Sequence, residues 1–520
     1  MASFEWIILL LFGAVLLTVL AKKIATPYPT LLAVGGAVLA FVPSGQTWTL
    51  DPELALALFV APVLLDTAYD TSLRDLRRNW IPVAGLVFVA VGLTTTAVAI
   101  IARWLVPDMS WPVAIALGAI VAPPDAAAVT AVLRTVRIPY RALKVLEGES
   151  LLNDVTALMT YRLAVGAALA GSFSIERIAP TLALTIVGSL VAGPVLAFIT
   201  MRFLSRFEDA PSSIIMQFVT TFGIWLLAEH IGLSGILTIV VYAMFLSRRN
   251  TGRMPARLRV PSYAVWETVV FTMNVLAFVF IGLQLRPIWE RLSAGMHREY
   301  LIFAGIIVVT VILIRFAWIM IYAVLGGLRL KYKKTEGTTD LGRAMRAGTV
   351  LSWCGMRGIV TLAAAFALPE QLPGGAPFPY RDLILLSAFA VVVGTLVIQG
   401  LTLKPLIALM RLTDVDLVGK EVKMARTTAY RAALREIDGE QTDEADVLRR
   451  EYHALLRLAD EDPDGGIPAE LPADPLRRRA IEAARGELQR LRFSGEIGDD
   501  AYNLLEQEFD WAELSADTAA

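Results

Sequence analysis

The chain has 520 residues, 56% of them hydrophobic and only 18% charged, against roughly 25% charged in soluble domains, which excludes an ordinary water-soluble globule. A single cysteine, Cys354, excludes an internal disulfide, and His230, His297 and His453 lie too far apart in sequence to suggest a metal cluster. The net charge of −1 conceals two regions: residues 1–412 are apolar with short charged loops, while residues 413–520 are dense in Arg, Glu and Asp. The first reads as a membrane domain and the second as a cytoplasmic helical region.

From the N-terminus, the first apolar run, 4–21, has no basic segment before it and Lys22 and Lys23 after it. With no small-residue cleavage site, it reads as a retained helix rather than a signal peptide. Further stretches long enough to cross about 30 Å of hydrocarbon predict spans at 28–43, 54–69, 80–104, 111–133, 145–170, 178–203, 212–230, 232–247, 262–285, 300–328, 346–368 and 382–410. The fold class is therefore an all-α membrane protein of about thirteen spans, the eighth and ninth divided only at His230 to Leu233. Short cytoplasmic loops carry the excess of Lys and Arg. Lys22 and Lys23, Arg74 to Arg78, Arg134 to Lys144, Arg202 and Arg206, Arg248 to Arg259, and Arg329 to Arg346 all fall on one side under this count. The expectation is a multi-pass plasma-membrane protein with its N-terminus outside and its C-terminal region in the cytoplasm.

Two spans are interrupted. The fifth contains Ala122-Pro123-Pro124-Asp125, and consecutive prolines remove two backbone donors and obstruct the preceding carbonyls. The twelfth contains Gly355-Met356-Arg357-Gly358, where two glycines flank a charge that lipid would reject. Spans 1–6 and 8–13 make two repeats in which these are corresponding members, and an offset of seven spans inverts one repeat against the other. Proline and glycine also merely kink membrane helices; their matched positions, with Asp125 and Arg357 at the breaks, favour a transporter's midplane site.

A charge at the bilayer centre costs about 2.5–3.5 kcal/mol on insertion scales, so Asp66, Asp125, Glu149 and Asp154 each need a partner, a cavity or a proton. On a helix Glu149 and Asn153, like Ser150 and Asp154, stand at i and i+4 and form one polar patch. Hard monovalent cations prefer such oxygen donors, and carbonyls freed at Pro123 and Pro124 could add more. A carboxylate withdrawn from water favours a proton, and a neighbouring cation favours its charged form, so the two compete. That competition is the chemistry of an antiporter centred on Asp154. Glu149 is expected to be structural, since a carboxylate tied to an arginine stays ionised. Asp66, eight residues before Arg74, also reads as an interfacial acid. Arg162, Glu267 and Arg315 read as salt-bridge partners between helices, and Glu229 and His230 as an outer loop.

Ala122-Pro123-Pro124-Asp125-Ala126, the run Leu146 to Asp154 and Gly355-Met356-Arg357-Gly358-Ile359-Val360 together resemble the sodium/proton antiporters of the monovalent cation:proton antiporter-1 family. The resemblance extends over the membrane region, including Pro62-Val63-Leu64-Leu65-Asp66. It implies that Asp154 is the ion- and proton-binding carboxylate and Asn153 its neutral neighbour, that Ser150, Asp125 and Asp66 ligate or line the site, and that Glu149 pairs with Arg357. It further implies electroneutral exchange, an inverted-repeat core moving against a dimerisation domain, and a homodimer in the lipid bilayer. Pro124-Asp125-Ala126 stands where the family commonly has Thr-Asp-Pro, and Asp66 where Glu is commonest, so sodium, potassium and lithium all stay open as cargo. No enzyme activity, cofactor, nucleotide or nucleic-acid partner is expected, and no nucleotide-binding or calcium-loop pattern occurs. A channel would show rings of charge or a filter loop. An intramembrane aspartyl protease would need a Gly-x-Gly-Asp motif that no span carries.

Past residue 413, amphipathic stretches at 429–437, 445–458 and 476–491 predict soluble helices, with a break at Asp462-Pro463-Asp464-Gly465-Gly466.

Overall fold

The computed structural model describes residues 2–24, 26–42, 51–125, 128–129, 140–170, 175–204, 206–250, 255–292, 297–332, 341–373, 375–411, 417–461, 474–494, 505, 508–510 and 512–513. The chain divides into two compact units, residues 1–413 and 414–520.

The first unit is built from helices α1 (Ala2–Lys23), α2 (Tyr28–Leu39), α3 (Pro52–Asp70), α4 (Leu73–Arg78), α5 (Trp80–Leu105) and α6 (Trp111–Val121). There follow α7 (Tyr140–Ala170), α8 (Ile175–Leu204), α9 (Ala210–His230), α10 (Gly235–Asn250), α11 (Ala256–Leu283) and α12 (Leu285–Arg291). The unit closes with α13 (His297–Tyr332), α14 (Leu341–Trp353), α15 (Ile359–Phe366) and α16 (Arg381–Met410). Among the described residues no strand forms, and seven helices are long and apolar enough to cross a membrane: α3, α5, α8 from Pro180, α9, α11 with α12, α13 and α16.

Local chemistry sets the ends of these helices. Asp51 accepts from the Glu53 and Leu54 amides ahead of Pro52 at the start of α3, and Asp209 accepts from Ser212 N–H at the start of α9, each satisfying donors that a first turn leaves open. Between α9 and α10 the chain turns at Gly232, φ +78°, a left-handed conformation that glycine adopts without a Cβ penalty. The narrow division between the eighth and ninth predicted spans is thus a real turn. Inside α3 and α5, residues Leu56–Val60 and Gly85–Ala90 are π-helical.

Helices touch where side chains are small, as expected where lipid supplies no hydrophobic drive between them. A Cβ on Gly36 of α2 would overlap the Val279 carbonyl of α11, and one on Gly282 of α11 would overlap the α2 backbone. Gly118 of α6 lies equally close to the backbone of Thr95 in α5. One buried apolar group surrounds α6 and α16, including Leu117, Ile120, Val392 and Leu396. A second joins α3 to α10 through Ala61, Leu64, Ile239 and Val240. Leu184, Phe198, Ile215 and Leu313 lie exposed on the outside, as suits a lipid-facing surface.

The twelfth predicted span is divided between α14 and α15. In the fifth, α6 stops at Val121 before the two prolines, and residues 126–127 and 130–133 of that prediction lie outside the described residues. Arg134, Arg137, Arg253 and the 333–340 segment of the basic loops lie outside them as well. α7 begins earlier than its hydropathy predicts because its first turns, with Arg141, Lys144 and Glu147, are charged but still helix-forming.

The second unit holds α17 (Leu417–Glu436), α18 (Asp443–Glu461) and α19 (Asp474–Phe493). Each predicted amphipathic stretch lies largely or wholly within one of them, and the predicted break at 462–466 lies outside the described residues. Asp443, Glu444 and Asp446 occupy the first turn of α18, where the helix dipole favours acids, and Tyr430 packs on Tyr452 at 6.0 Å.

Candidate functional site

The two interruptions meet. The Asp125 amide donates to the Met356 carbonyl at 2.7 Å, so the backbone just past α6 is hydrogen-bonded to the linker between α14 and α15. α6 therefore points its C-terminal end, and α15 its N-terminal end, into one crossing, with partial charges of opposite sign.

Each end receives a countercharge. Arg357 is fully buried and donates through Nε to the Val121 carbonyl (3.2 Å), through a terminal nitrogen to the Ala122 carbonyl (3.4 Å), and to the Gly355 carbonyl. It thus covers carbonyls at the C-terminal end of α6, where the helix has stopped and offers them no donors. Its own amide donates to Thr395 Oγ1 of α16 at 3.0 Å. At the other end the Asp125 carboxylate lies directly against Gly358, where any Cβ would overlap it. Gly358 is the N-cap of α15, so an anionic side chain stands at a helix N-terminus.

The polar patch of α7 packs against this crossing. Glu149, Ser150, Asn153 and Asp154 are all buried, Asp154 at 8% exposure and Asn153 at none. Asn153 Nδ2 donates to the Pro124 carbonyl at 2.7 Å, tying the patch to the first break. Its Oδ1 is buried without a hydrogen-bond partner. Asp154 lies within electrostatic reach of Asp125. Asp66 is partly buried on α3, a helix that packs on both α10 and α7. The structure thus gathers Asp125, Asn153 and Asp154 around the crossing, with Ser150 buried one turn before Asp154 on α7 and Asp66 on the adjoining helix.

Two expectations are corrected. Glu149 does not pair with Arg357. Its partner is Arg315 of α13, which meets both carboxylate oxygens at 2.5 and 2.9 Å with both side chains almost wholly buried. Arg315 also donates to the Cys354 carbonyl at 3.3 Å. The physical reason is position: Arg357 is drawn to the carbonyls of the broken helices, while α13 delivers a second guanidinium to Glu149. Arg315 stood in the sequence as a charge in mid-span needing some partner, but a pairing across 166 residues has no local signal. The outer-loop reading of Glu229 and His230 also changes: both lie in α9, and Glu229 pairs with Arg162 of α7 at 2.9 Å.

Ionisable oxygen donors enclosed where two half-helices cross suit a small cation or a proton, and discontinuous helices of this kind are how secondary transporters build a midplane site. The class is a membrane-embedded ion transporter. The profile of the family described as "Sodium/hydrogen exchanger, transmembrane" matches residues 7–409. The chain belongs to that family and is a cation/proton antiporter, not an enzyme. It is 30% identical, over 92% of its length and 73% of the relative's, to the sodium, potassium, lithium and rubidium/H(+) antiporter of Bacillus pumilus. It is 28% identical to the low-affinity Na(+)/H(+) antiporter NhaS1 of Synechocystis, over 80% of this chain and 76% of that one. In fold it is similar to the sodium proton antiporter MjNhaP1 of Methanocaldococcus jannaschii, with a TM-score of 0.60 at 18% identity, covering 79% of this chain and 98% of that one.

Proposed function

We propose that the protein exchanges sodium for protons, one for one, by alternating access, with both ions competing for the Asp154 carboxylate. The observation that carries this reading is the burial of Asp154 beside Asp125 on a helix bonded through Asn153 to the first break. Ser150 and Asp125 supply further oxygen ligands, Asp66 lines the approach, and Glu149 with Arg315 is the structural pair. Glu149, Asp125 and Asp154 set against Arg315 and Arg357 leave this cluster one negative charge when all five are ionised. One proton or one monovalent cation neutralises it, which supports electroneutral exchange. Asn153, unable to ionise, adds no second proton site.

The domain of residues 1–412 does this work with about thirteen spans in two inverted repeats, as a homodimer in the plasma membrane. Its N-terminus is outside and residues 413–520 are in the cytoplasm. Cation-driven dissipation of a proton gradient in proteoliposomes, measured with sodium, lithium and potassium, tests the reading. Asp154→Asn should abolish it with every cation. Exchange that survives the substitution would overturn the assignment.

A further inference from the structure

A cavity of about 420 Å³ lies between α7, α8, α9 and the start of α10. Its α7 wall begins at Val155 and Leu158, directly beyond Asp154, and continues to Ala170. This is the end of α7 remote from the basic loops, the outer side under the charge alternation. Arg162 and Glu229 line the cavity and pair across it.

The geometry of Glu229 is asymmetric. One oxygen accepts from the Gly235 amide at 3.0 Å, anchoring the carboxylate to the first residue of α10, while the other reaches Arg162 at 2.9 Å. Arg162 stands two turns beyond Asp154, about 12 Å along the helix axis. The pair therefore links the helix that carries the exchange carboxylate to the neighbouring α9 and α10. Its side chains are 56% and 35% exposed, and an ion pair so accessible contributes little net energy and opens readily. Around it stand oxygen donors suited to a hard monovalent cation: the Thr185 hydroxyl, which donates to the Gly232 carbonyl at 3.2 Å, and that carbonyl's remaining lone pair.

We propose that this cavity is the outward access route to Asp154 and that the Arg162–Glu229 pair is its latch, opened when an arriving monovalent cation replaces Arg162 on Glu229. The inference rests on the antiporter reading of Asp154. The Glu149–Arg315 pair is fully enclosed and holds; the Arg162–Glu229 pair is half in water and yields.

The test uses the full chain with Cys354→Ala and Leu158→Cys, reconstituted in oriented proteoliposomes and treated with a membrane-impermeant thiol reagent from the N-terminal side. Arg162→Gln and Glu229→Gln should each speed labelling about fivefold, the change expected when a partly exposed pair is lost. Arg162→Glu combined with Glu229→Arg should restore slow labelling. Sodium chloride, compared with choline chloride at equal ionic strength, should speed labelling in the latched protein and not in Glu229→Gln. Unchanged labelling in both single variants, or labelling from the cytoplasmic side alone, would overturn the latch. Labelling needs no turnover, so that failure is distinct from retained exchange in Asp154→Asn, which would instead remove Asp154 from its role.

Discussion

Replacing Arg315 with methionine keeps an unbranched apolar stem and removes the guanidinium that meets both oxygens of Glu149 at 2.5 and 2.9 Å. Both side chains are 3% exposed or less, so water cannot take the place of the lost partner. Stranding one member of a buried pair costs about 3–5 kcal/mol, roughly two to four decades in the unfolding equilibrium. Glu149→Gln in the same background removes the stranded charge and should recover most of the loss. What remains is about 1 kcal/mol, the net worth of a hydrogen bond. Arg357→Met should behave differently. It uncovers the carbonyls of Val121, Ala122 and Gly355, which no change at Glu149 can cover. Reversible unfolding in mixed detergent micelles, read for the wild type, the three single variants and the two doubles, measures both couplings. A rescue by Glu149→Gln confined to Arg357→Met would refute the assignment of Arg315 as the partner of Glu149.

Because proton and cation share one carboxylate, the apparent affinity for sodium should fall as pH falls, approaching about tenfold per pH unit once the protonated form dominates; stopped-flow exchange at fixed gradients measures this, and a pH-independent affinity would contradict shared binding. Sodium jumps on supported membranes should produce no sustained current, and a steady cation-driven current would count against one-for-one exchange. Gly358→Ala should abolish exchange, since a Cβ there overlaps the Asp125 carboxylate. Gly223→Ala, on α9 with open space around it, should leave exchange intact and stabilise the helix by about 0.5–1 kcal/mol, measurable by the same unfolding assay.

Much of this was readable along the chain because lipid imposes local rules. A helix must satisfy its own backbone, so hydropathy marks the spans. Consecutive prolines at 123 and 124 must end α6, and a helical repeat must bring Glu149, Ser150, Asn153 and Asp154 to one region of α7. The crossing partners were legible only as a pair of breaks, and the donors that join them are non-local: Asn153 reaches back 29 residues to Pro124, and Arg357 reaches 236 and 235 residues to Val121 and Ala122.

The membrane character, the interruption of two helices and the polar segment ending in Asp154 follow from the sequence by itself, since each depends on residues within a few turns of one another. Which arginine neutralises Glu149, which carbonyls Arg357 covers, and that Arg162 and Glu229 face one another across a cavity were decided only by the tertiary structure. A buried charge takes whichever countercharge helix packing brings within about 3 Å, and that distance is set between helices rather than along one.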